Sequence, residues 1–331
     1  MGRRYAVLGG GGSFGIHTSA YLLEQPDTER VVAVGRNPPK PAPFTLGVGV
    51  GDPRYSYHAH HVTHELDLLL ELLDREQPGI IVNYAAQGEG AVSWKHSWRF
   101  FETNSMALAR LCEELMSRDW LQRFIQIGTS ELYGSVDAPA TEDTPIRPSS
   151  PYAASKVAFD LHLVAVNSVL DFPMNIVRPS NAYCPGQLLH RVIPKAVICG
   201  LTGQKLPLHG GGHAEKSYIH ARDLARAIHL VATKAPLGRI YNAGPKDPIS
   251  IRALMEATAE ALAIPFGDLC EVAADRPGQD SRYWLDSSAI ARDVGWTPEI
   301  GLPEGLADMV EWGRKYLDRL KDWPMDYTMR A

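Results

Sequence analysis

The sequence predicts an α/β protein built on a doubly wound parallel sheet with a smaller α/β lobe attached, and three observations carry that prediction. Short apolar runs alternate with longer helical patterns, the runs are continuous as in strands buried on both faces, and a glycine-rich turn follows the first. The expected strands are YAVLG (5–9), VVAVG (31–35), GIIVNYAA (79–86), RFIQIG (123–128) and MNIVRP (174–179). The proline-rich RNPPKPAPF (36–44) reads as an ordered surface loop rather than a linker. After Pro179 the spacing becomes irregular, with Pro185, Gly186, Pro194, Pro207 and Gly210 to Gly212, and helical patterns return near 222–233, 250–263 and 302–320. The expected division is a first lobe over residues 1–178, with later returns near 220–245, and a second lobe mainly over 179–331.

Composition narrows the partners. At 331 residues the chain exceeds the size at which a single core usually stops growing. Charged residues make up 21%, the net charge is -5 and no long Lys or Arg run is present, which argues against nucleic acid. Cys112, Cys184, Cys199 and Cys270 are scattered without a C-x-x-C pair, as expected of free thiols in a reducing compartment. No apolar stretch reaches the roughly 20 residues needed to span a bilayer, and the first strand begins almost at once. A cytoplasmic protein without a membrane partner is expected. Gly2 does not make a myristoylation signal, because residue 6 is Ala6 rather than Ser or Thr.

GGGGSFG places Gly9, Gly12 and Gly15 in a G-x-x-G-x-x-G array, with Ser13 and Phe14 inside it, between a strand and a helix. The backbone there must turn tightly, approach a pyrophosphate and open a helix whose N–H groups attract anions; a Cβ would obstruct each step. A dinucleotide is the expected ligand. The segment after the second strand reads Gly35-Arg36-Asn37, with no acidic residue for a ribose 2′-hydroxyl, so NADP is favoured slightly over NAD.

PSSPYAASKVAFD carries Tyr152 and Lys156 at i and i+4, on one helix face, with Pro151 suited to the first turn and Ser149 or Ser150 to the cap. A phenol titrates near 10 and is a poor base until a neighbouring ammonium favours the phenolate. By itself the spacing occurs often by chance and more often describes an amphipathic surface pair. Beside the glycine loop it becomes specific. With GGGGSFG, NYAAQ (83–87), TSELYG (129–134), PYAASK, RPSNAYCPG (178–186), KSYIHARDLARAI (216–228), YNAG (241–244) and DRPGQDSRYWLD (275–286), the chain resembles the extended short-chain dehydrogenase/reductases that modify sugar nucleotides, nearly end to end.

The resemblance implies a Rossmann lobe holding a tightly bound, recycled NAD or NADP, and a lobe for a nucleoside-diphosphate sugar. It implies that Tyr152 and Lys156 are catalytic and touch the cofactor, that Ala85, Ala86 and Pro179 line it, and that Asn104 organises a water beside them. Gln87, Ser93, Asn181, Lys195, Lys216 and Arg276 are the implied substrate residues. Lys216 stands where many members carry Arg, and Cys184 where many have Gly. The family uses no metal, and the segment falls around the adenine side, so His58, His60, His61 and His64 are read as surface or adenine-packing residues. Trp94 and Trp98 are expected to pack or to cover the site. Helices near 96–116 and 152–170 imply a homodimer joined by a four-helix bundle.

Thr129 resembles the hydroxyl residue that binds the sugar 4-hydroxyl with Tyr152. The next two residues separate subclasses. Members that only invert or oxidise C4 carry small residues there; Glu131 resembles the base of nucleoside-diphosphate-sugar 4,6-dehydratases, which removes the C5 proton once C4 is a ketone. Ser130 matches the GDP-mannose type, whereas the dTDP-glucose type has Asp as the acid for the leaving hydroxyl. The acid is therefore open between Glu131 itself and Ser130 acting through water. Alternatives are a UDP-glucuronate decarboxylase, which also resembles Thr-Ser-Glu, a C4 or C5 epimerase, a 5,6-elimination without hydride return to C6, and a cofactor-sensing module without catalysis.

Overall fold

The computed structural model describes residues 2–274 and 281–327. Its centre is a seven-stranded sheet formed by β1 (Arg3–Leu8), β2 (Thr28–Gly35), β3 (Tyr55–Ala59), β4 (Ile80–Asn83), β5 (Arg123–Ile127), β6 (Met174–Pro179) and a seventh strand, Ile240–Ala243. The spatial order is β3-β2-β1-β4-β5-β6 and then the seventh strand, with every neighbouring pair parallel. Side chains alternate across each strand, and both faces are dry. Tyr5 and Val7 point into one core with Ile80, Val82, Ile125 and the Ala221–Lys234 helix. Ala6 and Leu8 point into the other with Leu69, Leu108, Leu111, Phe124 and Phe159. Two buried faces require continuous apolar strands, which is why these runs stand out in the sequence.

Two elements depart from the expected pattern. β3 lies at the sheet edge with four half-buried residues and one exposed, so its tyrosines and histidine never form an apolar run. The expected helix near 96–116 is interrupted by a π turn over Glu102–Met106, between Ser97–Phe101 and Ala107–Leu115. Such turns gather at functional sites, and this one contains Asn104.

A third core joins Tyr183, Ile193, Val197, Leu254, Met255, Leu306, Met309 and Trp312 from the C-terminal half. Phe44, from the proline-rich segment, is buried in it, and its ring lies 4.6 Å from that of Trp323. The Trp312 indole donates to the Pro43 carbonyl at 2.7 Å. A fully buried ring of this size contributes about 1.5–3 kcal/mol, so the segment is pinned across the two halves. That sets one rim of the cleft between them.

Candidate active site

The sheet reverses its strand order between β1 and β4, and ligands of open α/β sheets bind outside the carboxyl ends of strands at such a point. A cleft of about 450 Å³ opens there. It is lined by Gly9, Gly12, Ser13, Phe14 and Gly15 of the glycine turn, by Arg36, Lys40, Tyr57 and His61, and by Ala85, Ala86 and Gln87. Gly9 has φ +78, and a Cβ there would lie 2.7 Å from the Tyr84 carbonyl carbon; one on Gly15 would lie 2.6 Å from the Gly9 oxygen. The turn therefore exists only with glycine, and the space it leaves fits a pyrophosphate. Gly12 caps the following helix with no side-chain hydrogen bond, leaving the first-turn N–H groups to face the cleft. After β4, the Asn83 Oδ1 accepts from the Ala85 N–H at 3.1 Å and turns the chain along the cleft.

The catalytic candidates meet at the ends of β4 and β5. Thr129 caps a short 3-10 turn, Ser130–Tyr133, its Oγ1 accepting from the Glu131 N–H at 3.3 Å. The Thr129 side chain also faces the Tyr152 hydroxyl and favours its ionised form. Ser150 caps the Pro151–Leu170 helix through the Ala153 N–H, so Tyr152 sits in its first turn and Lys156 one turn on. The Glu131 carboxylate reaches toward Gly90, whose added Cβ would lie 3.5 Å from it and 3.8 Å from the Ser150 Oγ. Burial pushes the Tyr152 phenol above its ordinary value, Glu131 pushes it further, and Arg191 and the Thr129 side chain oppose them.

Lys156 donates to the Ile127 carbonyl at 2.7 Å, and burial holds its ammonium down to about 8 against the pull of Asp160. A lysine that titrates lower folded than unfolded leaves the unfolded chain with more protons between those two values, so stability rises with pH across that window. In the apoprotein, wild type is expected to gain stability over Lys156→Met as pH climbs from about 8 toward 10.5. Denaturant titrations at stepped pH test this; a constant difference would contradict it.

Behind the site lies a buried polar chain. Arg178 Nε donates to Asp160 at 3.3 Å and Nη1 to the Tyr133 hydroxyl at 3.0 Å, which donates to Asn242 Oδ1 at 2.9 Å. Burial raises the Asp160 carboxyl, and Arg178 followed by Lys156 lowers it. One guanidinium thus ties the Glu131 turn to the helix bearing Tyr152 and Lys156. Asn104 clamps the other side, accepting from the Gln87 N–H at 2.7 Å and donating to the Gln87 carbonyl at 3.0 Å and the Ser155 Oγ at 2.9 Å. Its amide joins the cleft wall to the tyrosine helix.

The remaining expected residues scatter. Ser93 is buried and donates to the Gly90 carbonyl at 2.6 Å. Pro179 ends β6, and Asn181 begins a short strand paired with Tyr218–His220. Lys195 lies against the C-terminal segment, 3.4 Å from the Met325 carbonyl and 3.8 Å from Asp326, and Lys216 packs 4.9 Å from the Tyr283 ring. None of these lines the cleft. Arg276 falls outside the described residues. Trp94 and Trp98 stand exposed. Among the described residues no three His, Cys, Asp or Glu side chains form a metal cluster; His58 stacks with His60, and His61 with His64. Sequence reasoning missed Glu89, His190, Arg191, Asp160 and Arg178. Asp160 was findable, being one turn beyond Lys156 on the same face; the others come from distant loops and strands.

Comparison with known proteins matches this geometry. The family model described as the NAD dependent epimerase/dehydratase family matches residues 5–244. A dTDP-glucose 4,6-dehydratase of Streptomyces griseus is 34% identical over 237 residues, 71% of this chain and 72% of its own. The low-salt glycan biosynthesis protein Agl12 of Haloferax volcanii is 31% identical over 310 residues, 92% of this chain and 97% of its own. The crystal structure of DesIV, a dTDP-glucose 4,6-dehydratase from Streptomyces venezuelae with NAD bound, superposes with a TM-score of 0.87 at 30% identity, covering 94% of this chain and 97% of that one. A glycine cradle at the switch point, a tyrosine and lysine one turn apart on one helix, and a match over most of the length mark this chain as a member of the NAD-dependent epimerase/dehydratase family.

Proposed function

We propose that this protein is a nucleotide-sugar 4,6-dehydratase that converts a nucleoside-diphosphate hexose into its 4-keto-6-deoxy form. The observation that carries the reading is the Glu131 carboxylate, held by the Thr129-capped turn beside the hydroxyl pair of Thr129 and Tyr152. An enzyme that only oxidises and re-reduces C4 needs the hydroxyl pair and no second base; a carboxylate next to it suits removal of a proton from the adjacent carbon. When bound, the nicotinamide cofactor supplies hydride acceptance from C4 and hydride return to C6. Tyr152 takes the 4-hydroxyl proton, with Thr129 aligning that hydroxyl. Glu131 takes the C5 proton, and the C6 hydroxyl leaves as water. The proton for the leaving hydroxyl comes from protonated Glu131, the donor nearest to hand, or through Ser130, buried at the head of the turn; when hydride returns to C6 a proton must be delivered to C5, and the proton that Tyr152 took from the 4-hydroxyl closes the balance.

Incubation with a panel of GDP-, dTDP-, UDP- and CDP-hexoses, with UDP-glucuronate included, tests the assignment by mass spectrometry. Loss of one water from a hexose, with no added cofactor consumed, supports it and names the nucleotide. Loss of carbon dioxide from UDP-glucuronate would replace it with a decarboxylase.

Two finer readings belong to the proposal. NADP is favoured because Arg36 lines the adenosine end of the cleft with Lys40 nearby and no acidic residue in Gly35-Arg36-Asn37. Arg36→Gln is then expected to weaken NADP binding about 10- to 100-fold, the worth of a charge-assisted hydrogen bond, while sparing NAD; titration calorimetry with both cofactors decides, and equal losses would refute the preference. A homodimer is supported by the exposed Phe101, Met106, Leu161 and Val164 on the two helical segments that flank the site.

A further inference from the structure

The chain beyond the last long helix turns back onto the body. Helix Leu302–Leu320 has Lys321 as its cap, and the residues that follow are Asp322, Trp323, Pro324, Met325, Asp326 and Tyr327. A proline at this point cannot continue the helix, and it disfavours helical backbone at the residue before it. Large apolar or aromatic side chains then fall on every second residue, and burial follows the same period. Trp323, Met325 and Tyr327 are half-buried, whereas Asp322, Pro324 and Asp326 are exposed.

Each of the three half-buried side chains meets a different part of the molecule. The Trp323 ring lies 4.6 Å from that of Phe44, itself 1% exposed, in the proline-rich segment before β3. Met325 meets the Val192–Thr202 helix, its Sδ 3.9 Å from Cys199 Sγ and its carbonyl accepting from Lys195 Nζ at 3.4 Å. The Tyr327 ring stands edge-on to His190, which follows β6, with 5.1 Å between ring centres. Phe44 and His190 both line the cleft that contains the glycine turn, and so do Trp323, Pro324, Asp326 and Tyr327. The segment thus links the two halves of the chain along the lining of that cleft. Its hold is uneven. Trp323 rests on a buried ring, whereas Asp326, 3.8 Å from Lys195, has a side chain 99% exposed, where an ion pair contributes little.

We propose that Trp323–Tyr327 is a strap that pivots at Trp323, closes over a dinucleotide seated in the cleft and limits its exchange. Lys195, whose ammonium is directed to the Met325 carbonyl, and His190, which meets Tyr327, hold the outer end shut. Strap and lid opening sets the release rate in many enzymes, and here it keeps the cofactor in place through repeated turnovers. The inference rests on the dinucleotide cleft and needs no sugar, so it stands apart from the dehydratase assignment.

The test is stopped-flow fluorescence of NADH and NADPH, mixed with the protein to read entry and chased with excess oxidised dinucleotide to read release. Tyr327→Ala is expected to speed release by about 5- to 10-fold, the usual effect of losing one packed side chain at a binding surface, and to speed entry by a similar factor. Affinity should therefore change much less than either rate, because a gate is a barrier shared by both directions. Trp323→Ala, which removes the pivot, should have the larger effect. In wild type, hydrogen exchange at the amides of residues 322–327 should slow when the dinucleotide is added. Unchanged rates in Tyr327→Ala would overturn the proposal, as would exchange indifferent to the dinucleotide. Faster release with unaltered entry would also overturn it, since the segment would then be a contact and not a gate. If Trp323→Ala does not fold, Tyr327→Ala and the exchange measurement still decide. Failure of the sugar panel would count against the dehydratase assignment and leave these rates standing.

Discussion

Glu131→Gln is expected to abolish dehydration while leaving the first oxidation in place. The amide matches the carboxylate in shape, and the turn is held by the Glu131 backbone N–H on Thr129 and by Tyr133 on Arg178, neither of which involves the lost charge. Thr129, Tyr152 and Lys156 are untouched. What disappears is the group that removes the C5 proton, so turnover should drop by about 10²- to 10⁴-fold, the usual contribution of a positioned base. A single-turnover experiment should show reduced nicotinamide absorbance rising at a near-normal rate and persisting, with no dehydrated sugar in the mass spectrum. A variant that dehydrates near the wild-type rate would exclude Glu131 as the base; one that fails to oxidise C4 would tie Glu131 to Tyr152 ionisation instead.

The second large effect is on stability. Arg178 and Asp160 are 2% and 1% exposed, and the second Asp160 oxygen has no hydrogen-bond partner. Arg178→Met leaves a carboxylate buried with only Lys156 to balance it and removes a donor to Tyr133. Breaking a buried pair from one side costs about 3–5 kcal/mol, a large fraction of the stability of most domains. Denaturant unfolding should register that loss in the midpoint. Arg178→Met combined with Asp160→Leu should recover much of it, because two well-packed apolar side chains remove the stranded charge. If the double variant is no better than the single one, the loss lies in the Tyr133 contact rather than in the ion pair.

How much of the molecule is legible in its sequence depends on the range of the interactions. β6 runs over Met174–Pro179, as the apolar run predicts, and the last long helix over Leu302–Leu320. Both are dictated by burial patterns local to the chain. β3 is not legible, since an edge strand is paired on one side only and its half-exposed residues carry no apolar signature. The π turn at Asn104 is not legible either: nothing in ETNSM distinguishes it from an ordinary helical turn, and the Gln87 and Ser155 groups that engage Asn104 come from other elements.

The site divides in the same way. Gly9, Gly15, Thr129, Glu131, Tyr152 and Lys156 are legible because their chemistry depends on short spacings: a turn that tolerates no Cβ, a cap two residues from a carboxylate, and a phenol one helical turn from an ammonium. The sequence by itself determined the doubly wound sheet, the dinucleotide cradle and the reacting groups, since each depends on residues near one another along the chain. Only the tertiary structure decided the electrostatics around them. Arg178 lies 18 residues from Asp160, and Arg191 lies 103 residues from Gly88; the fields that set the behaviour of Lys156 and Tyr152 come from charges that meet only when the sheet has formed and the C-terminal half has closed over its edge.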